Sequence, residues 1–346
     1  MQQRDQAGAG RIALFDNIKG LLIILVVVGH VAHPVHNENP AISCLFDVIY
    51  LFHMPLFVFV SGLFAKHAKN ERGGVNPNRI ISFALLAALF QLALLLINEV
   101  DVTLESFLQF TSAPWYLLAM AYWYAAAPLL ARLGWRRGMV LALALSYASG
   151  FVDLSDGLLA ISRALAFLPW FAAGLYCPVE SVVALKESRS RAVRATLAVA
   201  VVVSAAVVLA RVLDAHAYDW FFQMVYGDNP YRALPLDLLG KTVSDVLALV
   251  LSAAVLRLVP SRPTRLATLG RRTLGIYVGH RLVRAWLTFR TPLYEQPVLL
   301  DPLWGTLMIL ALSAAVTVVC AAPVLTDALN RILRHRWLPE AGRERG

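Results

Sequence analysis

Apolar residues in this chain gather in long blocks, separated by short segments that are by turns basic and acidic. The first block runs between Lys19 and His30 as GLLIILVVVG, without one polar side chain. A bilayer core takes ~20 helical residues to cross, and blocks near that length recur along the sequence. The pattern predicts about ten transmembrane helices, over 14–33, 42–65, 80–98, 113–131, 138–153, 160–178, 193–212, 238–257, 268–288 and 303–328. The fifth, GMVLALALSYASGFVD, is short for a full crossing. No linker, repeat or low-complexity tract divides the blocks. The expected fold class is therefore all-α and polytopic. One transmembrane domain would occupy 14–328, between a short segment at 1–13 and a basic tail at 329–346.

Loop charge orients the array. Basic residues cluster around Lys19, between Lys66 and Arg79, at Arg132–Arg137, from Lys186 to Arg194, from Arg257 to Arg272, and in the tail from Arg331. With ten spans these clusters share one side. The intervening loops, HNENP, NEVDVTLE and the stretch holding Asp214, Asp219, Asp228 and Asp237, are acidic or neutral. Lys and Arg concentrate in cytoplasmic loops, so both termini are expected in the cytoplasm. The setting this implies is a cell membrane, the bacterial inner or plasma membrane, crossed many times.

Composition agrees with that picture. The chain is 59% hydrophobic and 15% charged, against about a quarter charged in ordinary soluble domains. Its net charge of +9 comes from the basic loops, with no soluble recognition element beside them, so nucleic acid is not an expected partner. Cys44, Cys177 and Cys320 are scattered without a CxxC and read as small buried hydrophobes. The first block is followed by VAHPVHNENP, which has no small-residue cleavage site and reads as an uncleaved span.

Ionisable groups at membrane depth are costly and usually functional. On a helix turning 100° per residue, Lys19 and His30 lie about 20° from eclipsed and roughly 16 Å apart along the axis. Asp16 and His33 fall on the same face. Taken singly, Lys19 also reads as a snorkelling anchor and His30 as a helix-to-helix hydrogen bond. Gly29 would admit a ligand or a second helix close to the backbone. In the second span His53 sits mid-membrane beside Pro55, while Ser61 and Gly62 read first as close packing.

The ninth span brings Tyr277 and His280 into the membrane, with Arg281 and Arg284 following on the outer side. Arg163, at the outer mouth of the sixth span, could hold an anionic or sugar acceptor or bind lipid headgroups. Pro169 would bend that span. Trp115 and Tyr116, like the aromatics of HAYDWFFQMVYGDNPYRALP, belong either to a sugar site or to the interfacial belt. His30, His33 and His36 form HxxHxxH, but Pro34 interrupts the helix and no carboxylate or thiol stands at ligand spacing, so no metal is expected.

These residues resemble the integral-membrane acyltransferase family 3, particularly its fucose 4-O-acetylase-like branch. The resemblance rests on R-x4-D-x2-K-G at Arg11, Asp16, Lys19 and Gly20, and on K-x10-H ending at His30. FHMPLFVFVSG at 52–62, LPWFAAGLY at 168–176 and LG-x2-TLGIYVGH at 269–280 follow in family order. The family often has Arg where this chain has Lys19. The resemblance implies transfer of an acyl group, usually acetyl from acetyl-CoA, to a sugar hydroxyl of a surface or lipid-linked glycan. Acetyl-CoA is then a co-substrate, no cofactor is tightly bound, and the partners are membrane lipids, acyl-CoA and a glycan acceptor.

Chemistry suits these residues independently. A sugar hydroxyl attacks a thioester poorly unless a base removes its proton, and histidine suits that task. His30 is expected to be this base or a transient acyl carrier. Lys19 and Arg79 would hold the coenzyme A phosphates, with Asp16 orienting Lys19. His53, Tyr277 and His280 would line the passage or stabilise the oxyanion, and Trp115, Tyr116 and Arg163 would meet the acceptor. Two rival readings use the same sequence: a transporter relaying protons through the intramembrane Asp, Lys and His residues, and a lipid-binding scaffold.

Overall fold

Helix α1, Gln2–Ala32, carries the first apolar run through the interior. Leu14, Ile18, Leu22, Ile23, Val27 and Val31 are all fully buried, as a helix apolar on every side must be. The computed structural model describes residues 2–65, 74–188, 190–217, 226–228 and 230–338, without the side chains of 2–12, 192 and 193. Lys66, Lys69, Arg72, Arg189, Asp219, Arg343, Arg345 and the aromatics from Tyr218 to Phe222 lie outside the described residues, as does the side chain of Arg11.

Around α1 run α2 (Pro40–Ala65), α3 (Pro77–Ile97), a short α4 (Leu104–Leu108) and the long α5 (Trp115–Ala148). Then come α6 (Ile161–Ala166), α7 (Leu168–Tyr176), α8 (Val179–Glu187), α9 (Arg191–Leu213) and α10 (Leu236–Leu258). The C-terminal part supplies α11 (Arg265–Arg271), α12 (Thr273–Arg290), α13 (Trp304–Cys320) and α14 (Pro323–Arg334). Among the described residues the fold is helical, apart from an isolated bridge between Gln109 and Leu158.

Two glycine pairs set the closest helix contacts. A Cβ on Gly20 would strike the Leu266 carbonyl of α11, and one on Gly270 would strike the Asp16 carbonyl of α1. Gly62 of α2 and Gly174 of α7 are matched in the same way, each against the other helix's backbone. Asn17, fully buried, ties α1 to the segment before α11. Its amide donates to the carbonyls of Pro260 (2.8 Å) and Arg262 (2.7 Å) and accepts from the Thr264 hydroxyl (2.7 Å). Thr264 in turn caps α11 by accepting from Leu266 N–H.

Among the described residues, six helices are long and apolar enough to cross a membrane, or up to eight if each of two bent pairs is one span. Their outer faces expose valines such as Val201, Val202, Val318 and Val319, an apolar surface suited to lipid rather than water. The helix breaks have local causes. Gly134 takes φ 73° and ψ 167° within α5, between the fourth and fifth expected spans. The expected sixth span divides at Phe167, and Pro169 stands in the first turn of α7, where its missing N–H costs nothing. The tenth ends at Cys320, and Pro323 opens α14 after a 60° bend. The ninth divides at Arg272, and α12 carries three arginines, too many for an apolar crossing by composition alone.

One buried ion pair stabilises the periphery. Asp47 of α2, 1% exposed, accepts from Arg211 Nε (2.6 Å) and Nη2 (2.9 Å) on α9. Removing one partner strands the other charge in an apolar setting. Asp47→Ala is expected to cost about 3 kcal/mol, read as a lower melting temperature of the detergent-solubilised protein, and an unchanged melt would show the pair to be neutral.

Candidate active site

A cavity of about 540 Å³ opens between the ends of α1, α2, α5 and α12. The last turn of α1 supplies His30, the turns just after it supply His33 and His36, and α2 adds Tyr50, His53 and Met54. α12 contributes Tyr277, Arg281 and Arg284, a spacing that puts all three on one helical face with His280. Ala113 and Trp115 close one wall, and Arg163, Tyr226 and Asp228 another.

At its base two histidines meet. His30 Nδ1 lies 2.8 Å from His280 Nε2, and His280 Nδ1 lies 2.7 Å from the Ile276 carbonyl. A carbonyl only accepts, so His280 Nδ1 carries the hydrogen. With both rings neutral, His280 Nε2 must accept and His30 Nδ1–H must donate. That chain leaves the lone pair of His30 on Nε2. His30 thus has a basic nitrogen free, in a ring fixed by a neighbour that the backbone itself holds in one tautomer.

The other polar groups are largely committed. His53 Nδ1 donates to the Ile49 carbonyl at 2.8 Å, and the Tyr277 hydroxyl donates to the Ala113 carbonyl. Neither is left with an obvious proton for an oxyanion. His36 Nδ1 bonds the His33 carbonyl at 2.6 Å, and burial holds the His36 imidazole below the ordinary histidine range. Arg163 is bound through Nε and Nη2 to both oxygens of Asp228, at 2.7–3.0 Å, and lies 5.7 Å from the Trp115 ring.

The structure brings His30, His53, Trp115, Arg163 and Tyr277 to the cavity, with His280 directly behind His30. Tyr116 lies deeper and shares a 2.6 Å hydrogen bond with Ser61, in keeping with the packing reading of Ser61. Gly29, expected to admit a close neighbour, receives the Tyr50 ring. Asp16, Lys19 and Arg79 are not among the cavity residues. Lys19 is paired with Asp16 at 2.9 Å, with Arg271 3.6 Å from the same carboxylate. Arg79 donates to the Leu333 carbonyl at 3.0 Å, on α14. The stripe on α1 therefore serves two places: Asp16 and Lys19 at one end, His30 and His33 at the other.

Sequence reasoning left Asp228, Tyr50 and Asn17 without a role. Asp228 pairs with Arg163 across 65 positions, a separation that local spacing cannot reveal. Arg281 and Arg284 were within reach of the same helical arithmetic that aligned Lys19 with His30. Among the described residues no group of His, Cys, Asp or Glu is arranged to hold a metal ion.

Apolar spanning helices packed around a cavity of histidines and arginines define a helical membrane protein with an internal polar site. The acyltransferase 3 family model, described as an acyltransferase domain, matches residues 12–325. The chain belongs to that family. It is 49% identical over 63 residues to a nodulation protein, NolL, of Sinorhizobium fredii (strain NBRC 101917 / NGR234), covering 17% of each chain. A NolL of Mesorhizobium japonicum (strain LMG 29417 / CECT 9101 / MAFF 303099) is 42% identical over 57 residues, 16% of this chain and 15% of that one. The matched region thus spans less than a fifth of either relative. No solved structure matches.

Proposed function

We propose that this acyltransferase moves an acetyl group from acetyl-CoA to a sugar hydroxyl of a cell-surface or lipid-linked glycan, with His30 as general base. The supporting observation is the free Nε2 of His30, oriented by His280 at the base of a cavity large enough for a sugar. The hydroxyl oxygen attacks the thioester carbonyl as its proton passes to His30 Nε2. The C–S bond then breaks, and the departing thiolate of coenzyme A takes up that proton. The aromatic rings of Tyr50, Trp115 and Tyr226 on the cavity wall suit the apolar faces of a pyranose.

The topology we propose counts α1, α2, α3, the two parts of α5 around Gly134, α6 with α7, α9, α10, α12 and α13 as crossings of the bacterial inner or plasma membrane. Both termini are then cytoplasmic. Lys19 faces the cytoplasm and the cavity mouth faces outward. Lys19 and Arg79 are the proposed contacts for the coenzyme A phosphates, roughly 16 Å from His30 along α1 in the case of Lys19. An extended pantetheine arm is long enough for that gap. Since the cavity lining stops short of Lys19, donor entry requires side chains between the two to part.

The test is label transfer. The full chain in lipid nanodiscs, supplied with acetyl-labelled CoA and an envelope glycan extract, is expected to place label on glycan and to release free coenzyme A in equal amount. Acetyl-CoA recovered intact, with glycan moved across the bilayer unmodified, would replace this reading with a transporter.

A further inference from the structure

Among the described residues, two arginines in the cavity have no carboxylate of their own. Arg281 and Arg284 are each 8% exposed, yet among the described residues Nη1 of Arg281 and Nε of Arg284 have no hydrogen-bond partner. The contacts they do make are neutral and weak: Arg281 Nε to the Ser112 hydroxyl at 3.1 Å, and Arg284 Nη2 to His33 Nδ1 at 3.5 Å. Asp228, the carboxylate on the cavity lining, is already held on both oxygens by Arg163. A buried guanidinium without an anion is expensive, and both side chains line the cavity, where a ligand can reach them.

Resting on the function proposed above, we infer that Arg281 and Arg284 form an anion subsite and that the acceptor sugar carries a carboxylate or phosphate close to the acylated hydroxyl. Position favours the acceptor over the donor. His280 touches His30 at 2.8 Å, Arg281 is the next residue, and Arg284 stands one turn further on, against His33. The arginines therefore lie beyond His30 on the side away from Lys19, because the start of the α11–α12 segment packs at Asp16. Less than two helical turns separate the anion from the reacting nitrogen, a distance on the scale of one pyranose ring. A neutral sugar's hydroxyls could accept from the same N–H groups but would leave both charges without a counter-ion.

Binding to the full chain in nanodiscs decides the matter, with glucuronate, glucose 1-phosphate, glucose and coenzyme A as probes. The wild-type protein is expected to bind at least one of the two anionic sugars ~10- to 100-fold more tightly than glucose, the scale of charge-assisted hydrogen bonds. The preference should shrink with added salt. Arg281→Gln with Arg284→Gln should erase it while coenzyme A affinity stays within about twofold. No preference in the wild type overturns the subsite, and that comparison stands even if the double variant fails to fold. Equal loss of coenzyme A binding would overturn the assignment to the acceptor and give the arginines to the donor's phosphates. None of these measurements requires turnover. A protein that prefers anionic sugars but transfers no acetyl would refute the proposed function and leave the subsite standing.

Discussion

His30→Ala is expected to cut acetyl transfer by ~10²- to 10⁴-fold, the usual contribution of a positioned general base. The fold should survive. His30 lines an open cavity, and among the described residues its ring bonds only to His280, so its loss strands one accepting nitrogen rather than a charge. Melting temperature and gel-filtration profile should therefore stay close to wild type. Undiminished transfer by a folded His30→Ala protein would remove His30 from the chemistry.

His280→Ala sharpens the result. It leaves His30 Nδ1–H without its acceptor and frees the ring to rotate and to change tautomer. The expected outcome is a ~10- to 100-fold fall in kcat with little change in KM for acetyl-CoA, because a positioning residue supports the reacting group and not the ground-state complex. A merely structural His280 would instead lower stability and raise KM together. Acid-quenched protein incubated with labelled acetyl-CoA and no acceptor separates the two roles open to His30. Label retained on wild type and absent from His30→Ala would make it an acyl carrier; an unlabelled protein leaves it a base.

Much of this site was legible because helices repeat. The 3.6-residue period aligns Lys19 with His30, and positive charge sorts the loops into two sets. What the period cannot supply is azimuth. It placed His280 in the membrane but did not say that α12 turns that ring toward His30 rather than toward lipid. The pairs Asp47–Arg211 and Arg163–Asp228 join residues 164 and 65 positions apart, and no local pattern encodes such partners. The span count was obscured for a related reason. α12 looks too polar for a bilayer, yet Arg281 and Arg284 are buried within the protein, where they escape the penalty that lipid exposure would impose, and Arg290 stands exposed at its end. Lys19 and Arg79, the proposed donor contacts, are the converse case. Both were singled out by charge, and in the structure both are engaged, by Asp16 and by the Leu333 carbonyl.

The largest effect on folding is expected not at a polar residue but at Gly20 and Gly270. Each lies where α1 and α11 approach backbone to backbone, and an added Cβ would collide with a carbonyl oxygen of the other helix. A flexible side chain could move aside; a helix backbone cannot do so without separating the pair. Separation would also pull Asn17 from the carbonyls of Pro260 and Arg262 and from the Thr264 hydroxyl, groups that sit away from competing water. Gly20→Val or Gly270→Val thus combines overpacking with stranded buried polar groups, and a cost above about 4 kcal/mol follows from the two together. Most membrane proteins do not tolerate that loss, so the expected result is little monodisperse protein after detergent extraction. Gly134→Ala supplies the contrast. Its glycine is required by φ 73° and ψ 167°, with nothing near its missing side chain, so backbone strain of about 1–3 kcal/mol is all that substitution should bring. If Gly134→Ala proved as damaging as Gly270→Val, the α1–α11 contact would not be what holds the floor of the site in place. If only the α1–α11 pair is intolerant, those two glycines set the height at which His30 meets His280.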